Sequence, residues 1–104
     1  MAAACLFRSL ADPTRLAIIG CLAEGEQRVV DLTRRLGLAQ STVSGHLACL
    51  RDCGLVDWRP VGRQSFYFLA RPELPGLLTS AEQVLAATGS KVTLCPSYGL
   101  ARAR

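Results

Sequence analysis

Apolar residues recur along this chain with a spacing that changes twice, and those changes mark out its elements. Residues 3 to 10 form a short apolar stretch that reads as a helix, ended by Asp12-Pro13, a turn and helix-start signal with Pro at the first helical position. In the following segment Leu16, Ile19 and Leu22 fall on one helical face, and Gly25 supplies the stop. Val29, Leu32 and Leu36 bury one face of a shorter helix that Gly37 ends. Gln40-Ser41-Thr42 then offers N-cap chemistry for a further helix, whose Val43, Leu47 and Leu50 form the apolar stripe before Gly54 terminates it. Two short helices joined by a tight Gly-containing turn make a helix-turn-helix.

After Gly54 the period falls to about two. Leu55-Val56-Asp57-Trp58-Arg59 and Ser65-Phe66-Tyr67-Phe68-Leu69 are β-prone runs bracketing Pro60-Val61-Gly62-Arg63-Gln64, a hairpin that forms the wing of a winged helix. Beyond Arg71-Pro72, helical spacing returns in Leu74, Leu77, Leu78, Ala81, Val84 and Leu85, and Gly89 closes this last helix. Its apolar face needs a neighbour, either the first helix or the same helix of a second subunit. Residues 90 to 104, which include Cys95-Pro96, have no periodicity and read as a tail that stays mobile until something binds it. The pattern predicts one mainly α domain with a small β-hairpin over residues 1–89, followed by a C-terminal tail, 90–104.

Composition fits one domain with one core: the chain has 104 residues, of which 50% are apolar. No apolar stretch approaches the roughly 20 residues needed to span a bilayer, and Met1 to Arg8 has no basic region followed by an apolar core and cleavage site. A cytoplasmic protein without membrane association is expected. The formal charge of +4 permits nucleic-acid binding, and between residues 28 and 63 six Arg stand against Asp31, Asp52 and Asp57. An enzyme is disfavoured by a single His, the lack of a carboxylate pair at helical spacing, and the lack of a Gly-rich phosphate loop.

The chemistry concentrates on the second helix of the helix-turn-helix. Such a helix enters the major groove with its N-terminal residues at the base edges. Here Gln40 offers a bidentate pair to adenine, Thr42 a methyl to thymine, and Ser41 or Ser44 a phosphate bond; His46 follows on the same helix. Arg63 at the wing tip suits the phosphate backbone or minor groove, and Arg34, Arg35 and Arg51 add candidate phosphate contacts. The blander roles are capping for Ser41 and Thr42, packing for His46, and a solvated face for Arg34 and Arg35.

Five cysteines, an odd number without any Cys-x-x-Cys, argue against a disulfide framework, a zinc ribbon or a thioredoxin-like site. Cys49 and Cys53 lie one turn apart at the end of the DNA-reading helix, which brings their Cβ atoms roughly 5 to 6 Å apart. Two thiolates so placed converge on one soft ion at bonds of roughly 2.3 to 2.6 Å. Cys21 lies beside the core stripe and reads as a small buried hydrophobe.

With these residues in place, the chain resembles the ArsR/SmtB family of metal-responsive winged-helix repressors over about residues 6 to 88. The likeness rests on Leu10-Ala11-Asp12-Pro13-Thr14-Arg15-Leu16, on Gly25-Glu26 leading to Val29 and Asp31-Leu32, on Ser41 through Leu47 and Leu50 through Val56, and on Gly62-Arg63-Gln64 with Tyr67. The resemblance implies a homodimer formed through the first and last helices, which binds an imperfect palindrome of operator DNA as a repressor and is released by its inducer. It also implies where inducer sites would lie. An arsenic-type site needs cysteines where this chain has Arg28 and Val30, and a zinc-type site needs His and carboxylates along the last helix, where residues 73 to 88 offer only Glu73 and Glu82.

What remains is similar to the cadmium- and lead-sensing branch, in which a Cys pair on the recognition helix joins a Cys of the C-terminal tail. Cys49, Cys53 and Cys95 are the corresponding residues, with Cys95 supplied by the partner subunit on that analogy. Three thiolates suit Cd(II) or Pb(II); Zn(II) would want a fourth ligand, from Cys5 or water. An arsenite- or thiol-redox-responsive repressor of the same fold is the alternative, because arsenic(III) also takes three thiolates and exposed thiolates oxidise.

Overall fold

The computed structural model of the chain describes residues 2–90 and 94. Its elements run α1 (Ala2–Leu10), α2 (Pro13–Glu24), β1 (Gln27–Arg28), α3 (Val29–Leu36), α4 (Gln40–Asp52), β2 (Val56–Val61), β3 (Gln64–Leu69) and α5 (Leu74–Ala87). All five helices and the hairpin stand where the periodicity places them. Of the tail only Ser90 and Leu94 are described, and Cys95 lies outside the described residues.

α2 is the hub. Ile18, Ile19, Gly20, Cys21 and Leu22 are all buried, so its second half is enclosed on every side rather than along the single stripe expected from Leu16, Ile19 and Leu22. Around it pack Leu32 of α3, Val43, Leu47 and Leu50 of α4, Leu55 and Val56 entering β2, and Leu74 and Leu78 of α5. Truncating a side chain such as Leu47, which is wholly buried, costs about 2–5 kcal/mol in a core of this kind. Cys21 is inside this core, where burial pushes its thiol up from its ordinary value.

Asp12 caps α2: its carboxylate accepts from the Arg15 backbone N–H at 2.9 Å, which lowers its pKa, and Pro13 needs no such partner. The Arg15 side chain turns back over the end of α1. Its Nε donates to the Ser9 carbonyl at 2.7 Å and one terminal nitrogen to the Arg8 carbonyl at 3.2 Å. A cation thereby meets carbonyls at the end of α1, adding to the Ala11 N–H that the Arg8 carbonyl already accepts at 3.2 Å.

Gly37 ends α3 in the left-handed region, φ 67°, which an L side chain rarely occupies. The next helix begins differently from expectation. Ala39 is the N-cap residue of α4 and makes no side-chain cap bond, while Gln40, Ser41 and Thr42 are already inside the first turn. Their side chains are therefore exposed and spared for other partners.

β2 and β3 pair antiparallel from Val56↔Leu69 to Val61↔Gln64, leaving Gly62 and Arg63 as a two-residue tip. The strands reach further into the loop than the apolar runs suggest. Gly62 has φ +63° and no other tip residue has positive φ, the type II′ requirement for glycine at the first position. β1, too short for periodicity to register, adds a third strand on the other side of β3 through Gln27↔Tyr67 and Arg28↔Phe66. Arg59 bonds Glu26 at 2.8 Å and Arg28 reaches Gln64 at 3.3 Å, fastening the wing to the strand before α3.

Candidate nucleic-acid interface and cysteine cluster

The first turns of α4 present Gln40, Ser41, Thr42, Ser44 and Gly45 to solvent, while Val43 and Leu47 anchor the opposite side in the core. This division follows from the helical period: the residues between the buried positions have nowhere to point but outward. Arg63 at the exposed wing tip has no ion-pair partner among the described residues, and neither has exposed Arg34. Polar residues on a rigid helix, flanked by guanidinium groups outside any close ion pair, form a surface suited to a polyanion.

Three of the sequence candidates are otherwise engaged. The half-buried His46 turns toward the start of α2, with Nδ1 3.3 Å from an Arg15 terminal nitrogen and 3.9 Å from Asp12 Oδ2. Both contacts lie at the cap of α2. His46 thus ties α4 to the α1–α2 corner. Arg51 pairs with Asp57 at 3.3 Å and lies over the Trp58 ring at 5.5 Å, which holds it against the base of the wing. Arg35 bonds Glu24 at 2.7 Å across α2 and α3.

Where an arsenic-type site would lie, Arg28 and Asp31 form a two-pronged ion pair, with Nε to Oδ2 at 3.0 Å and a terminal nitrogen to Oδ1 at 2.8 Å. The Arg28 guanidinium, helped by its backbone N–H, pulls the Asp31 carboxyl down to about 2.

The cysteines give the largest departure from the sequence reading. Cys5 of α1 and Cys53, the C-cap residue of α4, are joined as a disulfide with Cα atoms 6.4 Å apart. One bridge is not a framework, but it engages Cys53, read from the sequence as a metal ligand, and Cys5, read as an accessory one. Nothing in a separation of 48 residues reveals it, because it arises only when α1 lies across the end of α4. The buried Ser9 hydroxyl donates to Cys53 Sγ at 2.9 Å, fixing that sulfur from a second side. Cys49 is a half-buried free thiol one turn earlier, and its carbonyl accepts from the Cys53 N–H at 3.3 Å. With Cys53 bridged, only Cys49 of the expected pair is free to ligate. Among the described residues no three His, Cys, Asp or Glu side chains cluster as a metal site.

Cys53 also lines an open cleft of about 410 Å³ with Leu6, Leu55, Arg71, Glu73 and Leu74. A second, almost wholly apolar groove runs between α1 and α5, lined by Phe7, Leu77, Ala81, Val84 and Leu85, and there Phe7 is 60% and Val84 65% exposed.

Comparison with known proteins agrees with this architecture. The profile described as "Bacterial regulatory protein, arsR family" matches residues 12–57, from the α2 cap to the start of the wing. The HTH-type transcriptional regulator CmtR of Mycobacterium tuberculosis is 46% identical over 82 residues, which span 79% of this chain and 70% of that protein. A probable mercury resistance operon repressor of Streptomyces lividans is 35% identical over 89 residues, 86% of this chain and 71% of that one. The NMR structure of the cadmium metal-sensor CMTR from Mycobacterium tuberculosis superposes with a TM-score of 0.67, covering 79% of this chain and 85% of that chain. A homodimeric winged helix-turn-helix DNA-binding domain from Mycobacterium bovis does so with a TM-score of 0.72 at 31% identity, covering 85% and 81%. Among the described residues no helix is long and apolar enough to cross a membrane. The matched profile, the level of identity and the shared winged helix-turn-helix together place the chain in the arsR family of bacterial regulatory proteins, DNA-binding transcriptional regulators and not enzymes.

Proposed function

We propose that the protein is a cytoplasmic metal-responsive repressor, which binds an imperfect palindrome of operator DNA as a homodimer and releases it when thiolates of Cys49, Cys53 and Cys95 take up Cd(II) or Pb(II). The observation that carries this reading is the placement of two cysteines on consecutive turns at the end of α4, behind an open polar face at its start. One rigid helix then holds both the DNA-reading residues and a chelate. The 46% identity to a protein described as a cadmium metal-sensor supports the choice of ion.

The donor set fits a soft ion once Cys53 is reduced. Residues i and i+4 face one another across a turn, and thiolate sulfur favours soft, polarisable cations over oxygen-seeking ones. Cys95 belongs to the tail, residues 90–104, beyond the DNA-binding and dimerisation unit at 1–89, and is the third donor we assign. Cys5, carried to the Cys53 sulfur by α1, is the accessory donor, and Zn(II) would need it or water. The bound ion would supply charge neutralisation and a cross-link; the chain itself supplies the two-state element, α4 and its position relative to α1.

For DNA we assign Gln40, Ser41, Thr42 and Ser44 to the major groove and Arg63 to the wing contact; Arg51 reaches a phosphate only by giving up Asp57, and His46 acts through the α2 corner. The apolar groove between α1 and α5 supports dimerisation through those helices, since covering Phe7 and Val84 removes their exposed area from water. An arsenite-responsive repressor uses the same three sulfurs and is separated by experiment.

The reduced protein is titrated with cadmium, lead, zinc and arsenite while thiolate-to-metal ultraviolet absorption is followed. Cadmium and lead are expected to saturate at one ion per protomer with three sulfur donors. Cys49→Ser and Cys53→Ser should each weaken binding at least tenfold, and Cys95→Ser should leave two-sulfur coordination. Full-strength three-sulfur binding in Cys95→Ser would remove the tail from the site, and tighter binding of arsenite than of cadmium would favour the arsenite reading.

A further inference from the structure

We propose that Cys5 and Cys53 form a redox lock on the metal site, in which a hydroperoxide joins the two sulfurs and so withdraws Cys53 from the chelate with Cys49. The proposal rests on the metal reading above and adds a second input to the same sulfur. α1 places the Cys5 sulfur in bonding contact with Cys53, while the buried Ser9 hydroxyl, one turn further along α1, holds the Cys53 sulfur at 2.9 Å. Arg15 fixes that stretch of α1 through the Arg8 and Ser9 carbonyls. The pairing is thus enforced by the fold. Access is provided as well, because Cys53 lines the open cleft of about 410 Å³ beneath Leu6 and Arg71.

The chemistry balances with one equivalent of hydroperoxide. One thiol gives up its proton and its sulfur attacks the peroxide oxygen; the O–O bond breaks, the sulfur becomes a sulfenic acid, and the departing alkoxide, or hydroxide in the case of hydrogen peroxide, takes up that proton. The second thiol attacks that sulfur, the S–O bond breaks, and the hydroxyl leaves as water with the thiol proton. The two sulfurs together lose two electrons, and the O–O bond accepts them.

The bridged chain still has the whole winged helix, with Gln40, Ser41, Thr42 and Ser44 exposed. The oxidised protein is therefore competent to read DNA but has lost one thiolate of its metal site. A sulfur already bonded to sulfur cannot serve as an anionic ligand. The consequence is a repressor that ignores soft metal until it is reduced.

The test uses the full chain in three states: reduced, oxidised with stoichiometric hydrogen peroxide, and re-reduced with a dithiol. Each is mapped by non-reducing peptide mass spectrometry and titrated with cadmium on labelled operator DNA. The lock requires a Cys5–Cys53 linkage, retained operator affinity, at least tenfold weaker cadmium binding after oxidation, and recovery on re-reduction. Cys5→Ser is compared only with itself, before and after the same peroxide dose: whatever affinity for cadmium the reduced variant has, the dose should leave it unshifted, because no Cys5–Cys53 bridge can form. A different linkage, no linkage, or an unchanged cadmium response in the bridged protein would overturn it. If the reduced protein itself binds no cadmium, the metal reading fails and the lock with it, whereas the mapped linkage decides the bridge separately.

Discussion

Asp31 shows how much a single side chain fixes. It caps the start of α3, accepts from both the backbone and the side chain of Arg28, and through Arg28 touches Gln64 of the wing. Its carboxyl is held at about 2 against an ordinary 3.8, first of all by the Arg28 guanidinium. A carboxylate whose pKa is lowered by folding adds stability that is complete above the unfolded value and is lost as pH falls through the folded one. Asp31→Asn should therefore flatten the acid limb: between about pH 4 and about pH 2 its urea midpoint should fall less steeply than that of the parent. Partial exposure of the pair keeps the effect modest. Equal slopes for the two proteins would show that the ion pair is already broken in solution. Arg15 is the other such residue, since it joins the end of α1, the cap of α2 and His46 of α4. Its role is hidden in the sequence, where Asp12-Pro13-Thr14-Arg15 announces a helix start but not what the guanidinium reaches.

The helices and the hairpin are legible in the sequence because each carries its own period, its own stop and, in Gly37 and Gly62, the residue its turn requires. β1 is not, because two residues carry no period and its existence depends on Tyr67 and Phe66 lying alongside. The start of α4 departs from expectation for a related reason: Ser41 and Thr42 favour caps, yet Val43 and Leu47 fix the helix register from the core side and place them within the first turn, behind an Ala39 cap. The Cys49–Cys53 spacing is legible in the same way, and the Cys5–Cys53 bridge is not, since it belongs to the packing of α1 on α4. The wing carries a prediction of its own. Arg63 sits at a two-residue tip where nothing else in the strand pair depends on it. Arg63→Ala should leave thermal stability unchanged while weakening operator binding, and should lower the slope of log affinity against log salt by about 0.9 for each phosphate that the guanidinium neutralises. An unaltered salt slope would take the wing tip out of the interface.

At the scale of the whole molecule, α4 joins three things: the proposed operator contact at its first turns, the core along its middle, and the proposed metal site at its end. α1 presents Phe7 beside Val84 of α5 in the apolar groove and carries Cys5 to the end of α4, so the proposed dimer face and the proposed metal site share an element. A ligand at Cys49 and Cys53 that also reaches Cys95 therefore has a physical route to the relative placement of two recognition helices. Couplings of this kind are worth about 1–3 kcal/mol, or roughly 5- to 150-fold in operator affinity. The most direct measurement is fluorescence anisotropy of labelled operator with the fully reduced protein at fixed salt, titrated with cadmium while thiolate absorption is recorded in the same cuvette. The account predicts that DNA is released in step with the absorption band, with affinity falling at least fivefold at saturation. A saturated absorption band with unchanged operator affinity would contradict it.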